Sequence, residues 1–503
     1  MPQVTRRQFF GTSMAGITGA TLLGSIPDLA NTAPAKVSKH NVLFIAVDDL
    51  KPNLGCYGDP LAKSPNIDRL AAKGLVFTRS YCQQALCSPS RTSLLTGLRP
   101  DTTRIYELET HFRKTIPNVV TLPEQFKRHG YHTQAFSKIY HGGLDDPQSW
   151  TVPHWAPQRP GYATPEGLEI MERLRKEATA AGKNIQDRRQ APRGLPWEAP
   201  DVPDNALADG ATADKALEVL REVKDRPLFL AVGFLKPHLP FVAPKKYWDM
   251  YDKNKFTLAD NPNPPKDSPP IAWTSWGELR AYYGMPKQGP LTDEQARNMI
   301  HGYYAAASYT DAQIGRVVDE LDRLGLRDNT VIILWGDHGW HLGDHGFWCK
   351  HTNYEQAVRA PLLISVPGQK TAGQKSDALV EFVDICPTLF DLCGVPLTDG
   401  LEGTSFKPLI ENPQRPWKKA AFSQYPHGMK GRGQMMGHSL RTDRYRLTEW
   451  LSKDKGEGEI ELYDYQTDPG ENVNIAGRPE NAELVKQLTK LLHDGWRAAL
   501  PPR

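Results

Sequence analysis

The chain is poor in several things that would direct its reading elsewhere. Its 61 Lys and Arg are nearly balanced by 58 Asp and Glu, a formal net charge of +3 over 503 residues. That evenness excludes the strongly basic surface with which nucleic-acid binders hold phosphate. Its six cysteines are Cys56, Cys82, Cys87, Cys349, Cys386 and Cys393. They follow neither a zinc-ligand spacing nor a disulfide framework. Setting Cys87 aside leaves five, so at least one thiol stays unpaired. Cys386 and Cys393 lie two helical turns apart and read as core residues. Long apolar runs are missing too. The stretch from Gly11 to Pro27 is rich in Gly, Ala, Ser and Thr and is too short and weakly apolar to span a bilayer. No later segment is a candidate, so no stable membrane insertion is expected. Repeats and low-complexity tracts are absent. What is present is 39% hydrophobic residues, enough for a large core at this length. The 42 Pro and 41 Gly point to long ordered loops.

The first residues read as an export signal. Thr5-Arg6-Arg7-Gln8-Phe9-Phe10 resembles a twin-arginine motif, and Leu29-Ala30 and Ala33-Pro34-Ala35 offer small-residue cleavage sites. Residues 1–35 are therefore expected to engage the twin-arginine export machinery of a bacterium and to be removed, leaving a periplasmic or secreted protein.

Continuous apolar runs mark the fold class. Asn41 to Val47 is one, ending in Asp48-Asp49. Thr133 to Ser137, Leu228 to Phe234, Val331 to Trp335 and Leu362 to Val366 are others. Runs apolar on both faces read as buried parallel strands. Helical stretches lie between them, one opening with a capping box at Thr292 and Gln295 and running to about Leu324. Another covers Asp384 to Cys393. The expected fold is α/β, a central mostly parallel sheet flanked by helices. Two proline-rich stretches, Pro147 to Pro203 and Phe241 to Pro290, interrupt it. The first holds a helix near Glu166 to Ala180, and both are expected to wall the substrate. Near Arg441 the texture changes to antiparallel strands, Tyr445 to Trp450 and Ile460 to Tyr465, then an amphipathic helix from Asn481 to Leu500. The expected division is 36–440 for a catalytic domain and 441–503 for a smaller C-terminal subdomain with an antiparallel sheet and a helix.

The chemistry-bearing residues cluster at strand ends. Asp48-Asp49 closes the first strand, and Gly336-Asp337-His338-Gly339 closes a later one. Carboxyl ends of parallel strands face one crevice. Three carboxylates there suit a hard divalent cation such as Ca2+. Lys138 and His141 follow one strand, His238 another, and Lys350 follows the Asp337 turn. Cys87-Ser88-Pro89-Ser90-Arg91 completes the set. Ser88 suits an N-cap and Pro89 the first helical position, which would aim free N–H groups at an anion. An anionic ester needs cations about its oxygens and an acid for the leaving alcohol. The lysines and Arg91 meet the first need, and a histidine the second.

The pentapeptide resembles the sulfatase signature, in which the cysteine is oxidised to formylglycine. Further stretches narrow the resemblance to the iduronate-2-sulfatase branch of the formylglycine-dependent sulfatases, within the alkaline phosphatase superfamily. They are Val47-Asp48-Asp49-Leu50, Ser64-Pro65-Asn66-Ile67-Asp68, Gln83-Gln84-Ala85-Leu86 before Cys87, and Arg99-Pro100-Asp101-Thr102-Thr103-Arg104. Lys236-Pro237-His238, Asp337-His338-Gly339-Trp340 and Trp348-Cys349-Lys350 extend it over most of the chain. The resemblance implies that residue 87, as formylglycine, is the nucleophile. A hydrated aldehyde can attack sulfur with one hydroxyl and use the other to expel sulfate, splitting one hard step into two. It implies that Asp48, Asp49, Asp337, His338 and residue 87 hold one Ca2+. Many sulfatases have Asn where this chain has His338, and the iduronate branch has His. Arg91 orients the diol and His141 hydrogen-bonds to it. Lys138 and Lys350 bind sulfate oxygens, and His238 protonates the leaving alcohol. Trp340 is placed at the sugar subsite, with core packing as the open alternative. The implied partners are a sulfated carbohydrate and a formylglycine-generating or sulfatase-maturating enzyme. The expected reaction is exo-acting removal of sulfate from polysaccharide-derived oligosaccharides. Two alternatives stay open: a phosphodiesterase or phosphonate monoester hydrolase of the same superfamily, and a sugar-binding pseudoenzyme.

Overall fold

Every residue of the strand Asn41–Val47 (β1) is buried, and its side chains alternate between two cores. Val42, Phe44 and Ala46 enter one hydrophobic cluster, while Leu43, Ile45 and Val47 enter the other. The same alternation holds in Leu228–Phe234 and Thr330–Gly336. The sheet is therefore the middle layer of three, as its two-faced apolar runs require. The computed structural model describes residues 39–187, 190–429, 433–452 and 458–502, so the expected export signal lies outside the described residues.

In chain order the central sheet contains β1, Leu75–Phe77 (β2), His132–Ser137 (β3), Leu228–Phe234 (β4), Thr330–Gly336 (β5), Leu362–Ser365 (β6) and Gln374–Ser376 (β7). Their spatial order is β7-β2-β6-β5-β1-β4-β3. β3, β4, β1 and β5 are parallel neighbours, with Val47 level with Phe234 and Gly336. Their carboxyl ends thus finish on one line. β6 corrects the expectation of a further parallel strand, because it runs antiparallel to both β5 and β2. An apolar run buried on both faces reads alike in either direction, so direction was not in the pattern. The sheet is mixed.

Five helices matter to the argument: Cys87–Thr96 (α1), Ala208–Val223 (α2), Asp293–Arg323 (α3), Ile385–Cys393 (α4) and Ala482–Asp494 (α5). The 31 residues of α3 begin at the expected capping box, with Gln295 N donating to Thr292 Oγ1 at 3.2 Å. It packs with α2 on one face of the sheet through Ile314, Val317, Val318 and Leu321. α1 and α4 cover the other face. The expected helix in the first insertion is Pro165–Ala180.

The C-terminal sheet is a meander of Ala421–Met429 (β8), Gly433–Arg441 (β9), Tyr445–Ser452 (β10) and Gly458–Asp464 (β11). It begins some residues before the expected boundary at 441, which would cut it after β9. α5 lays Leu484, Leu488, Leu491 and Leu492 on Leu440, Leu447 and Leu462. The helix expected to reach Leu500 ends at Asp494, where Gly495 takes a positive φ of 77°. From Lys39 onward the chain is one unit, with no break between the two sheets. No helix among the described residues is long and apolar enough to cross a membrane. All six cysteines are free thiols, Cys386 and Cys393 included.

Candidate active site

The strand ends gather the expected acids. Asp48 and Asp49 follow β1, and Asp337 and His338 follow β5. The Asp49 amide donates to Asp337 Oδ1 at 3.0 Å, joining the two turns. Asp49 holds a left-handed φ of 59°, and Ser137 at the end of β3 one of 57°. Such backbone is unfavourable for side-chain residues and survives only where the surroundings impose it. Tyr303 of α3 fixes the Asp49 turn: its hydroxyl donates to Asp49 O at 2.8 Å and accepts from Lys51 N at 2.8 Å.

α1 brings Cys87 and Arg91 to the acids. The helix starts two residues before the expected register, with Leu86 at the N-cap and Cys87 in the first position. The first turn's backbone, rather than a Ser88 hydroxyl, therefore faces the crevice. Arg91 is fully buried. Its Nε meets Asp337 Oδ2 at 2.9 Å, its Nη2 meets Asp48 Oδ1 at 3.1 Å, and its Nη1 donates to the carbonyls of Lys138 and Ile139 at 2.5 and 3.1 Å. Ser90 Oγ donates to Asp337 O.

Cys87 Sγ lies 3.3 Å from His338 Nε2 and 3.5 Å from Lys138 Nζ. In the sulfatase reading this sulfur stands where the oxygens of hydrated formylglycine would be. Burial, opposed by Lys138, pushes the Cys87 thiol well above its ordinary value. Lys138 Nζ also pairs with Asp48. Burial would raise the Asp48 pKa, but Lys138, His238 and Arg91 hold it well below the carboxylate range. Lys350 Nζ meets both Asp49 oxygens, at 3.2 and 3.1 Å. Burial opposes its charge, yet Asp49 and Glu278 keep its pKa well above the ordinary value.

His238 presents Nδ1 to Leu239 O at 2.6 Å. A carbonyl there requires a proton on Nδ1, so Nε2 is the nitrogen left to face the cavity. That Nε2 lies 3.2 Å from Glu278 Oε1 and 3.9 Å from Asp49 Oδ2. Cys87, Lys138, His141, His238, Glu278 and Lys350 share one cavity of about 720 Å³. Arg193 and Asp187 of the first insertion form part of its wall, with Arg193 stacked on Tyr282 at 5.4 Å. A second cavity of about 710 Å³ adjoins it across Lys138, His141 and His238.

Trp340 corrects the expectation of a sugar wall. It is fully buried, packed beside Phe241 and beneath the Lys350 ammonium, which sits 4.8 Å above its ring. Its effect on the site is to hold Lys350. Glu278 and Tyr303 are site residues that the sequence reading missed. Neither sits in a motif.

Do these residues fit a divalent cation? Asp48, Asp49, Cys87 and His238 form one group of ligand atoms within 4.8 Å of one another, and Cys87, Asp337 and His338 form another. His338 Nε2 is 3.4 Å from Asp49 Oδ1 and 3.7 Å from Asp337 Oδ1. Residue 87 belongs to both groups, so the two acid turns meet around it, and their hard carboxylate oxygens suit such a cation.

Solved structures with this architecture define its class. A protein in complex with its substrate D-glucosamine-2-N,6-O-disulfate superposes with a TM-score of 0.72 at 23% identity, covering 92% of this chain and 98% of the other. The phosphonate monoester hydrolase of Silicibacter pomeroyi gives 0.71 at 24% identity, covering 92% and 96%. The fold is alkaline-phosphatase-like. Sequence comparison then narrows the class. Residues 40–395 match the family described as Sulfatase, and 343–497 match N-sulphoglucosamine sulphohydrolase, C-terminal. Mouse iduronate 2-sulfatase is 34% identical over 525 aligned positions, covering 89% of this chain and 93% of the relative. The chain belongs to the sulfatase family and is an enzyme of sulfate-ester hydrolysis.

Proposed function

We propose that the protein is an exported carbohydrate sulfatase that removes a sulfate ester from oligosaccharides of polysaccharide origin. Residue 87, oxidised to formylglycine, is its nucleophile. The observation that carries the reading is the position of Cys87. It sits at the first turn of α1, within 3.5 Å of Lys138 Nζ and 3.3 Å of His338 Nε2, at the floor of a cavity that also holds His238 and Lys350. A hydrated aldehyde there supplies one hydroxyl to attack sulfur and a second to expel sulfate afterwards. Asp48, Asp49, Asp337 and His338 would hold Ca2+, which supplies Lewis acidity toward the sulfate oxygens.

The chain's own residues do the rest. Lys138 and Lys350, both largely buried, neutralise sulfate oxygens where fixed charge acts strongly. Arg91 holds Asp48 and Asp337 in place beneath them. His141, on the cavity wall, orients the residue-87 oxygens. His238 gives the Nε2 proton to the departing sugar oxygen as the S–O bond breaks. The sugar-bearing relative structure and the iduronate 2-sulfatase resemblance support a saccharide substrate.

The test is turnover of a panel of defined sulfated oligosaccharides, with the mass of the Cys87 peptide read in the same preparation. Sulfate release that tracks the fraction of aldehyde at residue 87 is expected. A preference for phosphodiesters or phosphonate monoesters over every sulfate ester would overturn the reading. So would full activity with residue 87 as plain cysteine.

A further inference from the structure

Glu278 lies in the second insertion, outside every stretch that carries the family resemblance. It sits on the short helix Gly277–Arg280, anchored by its neighbours. Leu279 is fully buried, and Trp276 and Tyr282 nearly so, within one apolar cluster. Arg280 stacks on Trp276 at 3.3 Å. The backbone is thus held on one side, and Glu278 is turned to the other, into the cavity with Cys87. Its carboxylate bridges two basic side chains from separate strand-end loops: Oε1 lies 3.2 Å from His238 Nε2, and Oε2 lies 2.8 Å from Lys350 Nζ.

Two geometric consequences follow. The imidazole of His238 is gripped at both nitrogens, by Leu239 O and by Glu278, so its plane is fixed before substrate arrives. The ammonium of Lys350 is held separately by both oxygens of Asp49, at 3.2 and 3.1 Å, with Glu278 Oε2 at ion-pair distance, 2.8 Å.

We propose that Glu278 is a positioning residue for sulfate-ester cleavage, holding the His238 imidazole so that Nε2 is aimed at the leaving alcohol. The inference rests on the role proposed for His238. Positioning of a proton donor matters in proportion to how badly the leaving group needs a proton.

The test compares Glu278→Gln with the parent in matured full-length enzyme on two esters, a sulfated monosaccharide and nitrophenyl sulfate. Glu278→Gln keeps the shape and loses the charge. Its kcat on the sugar ester is expected to fall about 10- to 100-fold, a share of the effect a general acid contributes, with less than about threefold loss on nitrophenyl sulfate. Added to His238→Ala, it should cost nothing further on the sugar ester, since the two residues act through one proton. Equal loss on both esters, or no loss on the sugar ester, overturns the proposal. His238→Ala alone separates the two readings. If it shows no contrast between the esters, the general-acid assignment fails. If it shows the contrast and Glu278→Gln does not, only the positioning role falls. Should Glu278→Gln fold poorly, Glu278→Asp keeps the charge and withdraws it. The same contrast, reduced, is then expected, and its absence overturns the proposal.

Discussion

Arg91 concentrates the logic of the site in one side chain. It is fully buried and spans Asp48, Asp337 and two backbone carbonyls. Breaking a buried ion pair from one side leaves charge without a partner. Arg91→Met should therefore lower stability by about 3–5 kcal/mol in urea unfolding and abolish turnover. Cys87→Ala should separate these effects. The side chain is small and Sγ makes only weak contacts, with His338 Nε2 at 3.3 Å and Lys138 Nζ at 3.5 Å, so melting should stay near the parent while sulfate release disappears. Asp48, Asp49, Asp337, His338, Lys138, His238 and Lys350 were legible in the sequence because each directly follows a strand or turn whose pattern is local. Glu278 was not, because it gains its meaning from packing between an insertion and two distant loops. Trp340 was misjudged for a related reason. An aromatic beside an acidic turn reads the same whether it faces a sugar or, as here, the underside of Lys350.

At the scale of elements, glycine decides how closely the loops approach the sheet. A Cβ at Gly233 in β4 would stand 2.2 Å from Lys138 O and 2.4 Å from Lys138 C. The Lys138 turn rests directly on that strand. Gly233→Ala must move this backbone, and Lys138 Nζ with it. We expect kcat/KM to fall at least about tenfold, since displacements near 1 Å at a positioned group cost on that order or more. Steady-state kinetics on the sugar ester reads this directly. The strands β1, β3, β4 and β5 were visible as apolar runs, and the capping box announced α3. The three-residue strands β2 and β7 were not, because nothing so short carries a period. The start of α1 was misplaced because Ser88 and Pro89 suit a helix opening, while the chain opens it from Leu86.

Across the whole molecule, a buried charge cluster ties the two sheets together. Glu381 meets Arg99 at 2.7 Å and Lys418 at 2.8 Å, and it accepts from Phe422 N of β8 at 2.9 Å. Burial would raise its pKa, but Arg99 and Lys418 bring it down to about 2 from the ordinary 4.5. A carboxyl depressed in the folded state stabilises fully above its unfolded value and loses that contribution as pH falls through the folded one. Asp384 in the same cluster is raised by its burial and opposes part of this. Unfolding free energy should therefore drop between pH 4.5 and about 2, and Glu381→Gln should flatten that segment of the curve. A chelator should cut activity, and added Ca2+ should restore it and raise the melting temperature, by about 2.7 kcal/mol of stability at a hundredfold excess over Kd. One feature reaches beyond the finished enzyme. Cys87 is only 2% exposed, closed in on the floor of its cavity. If residue 87 is oxidised by a maturation enzyme as proposed, that enzyme would have to reach the pentapeptide before α1 packs against the acids. Under the proposed maturation, folding and oxidation therefore run a race on every chain, and the loser is permanent. The active fraction of a preparation would be set by timing during synthesis, and a chain that folds sooner would be the worse catalyst.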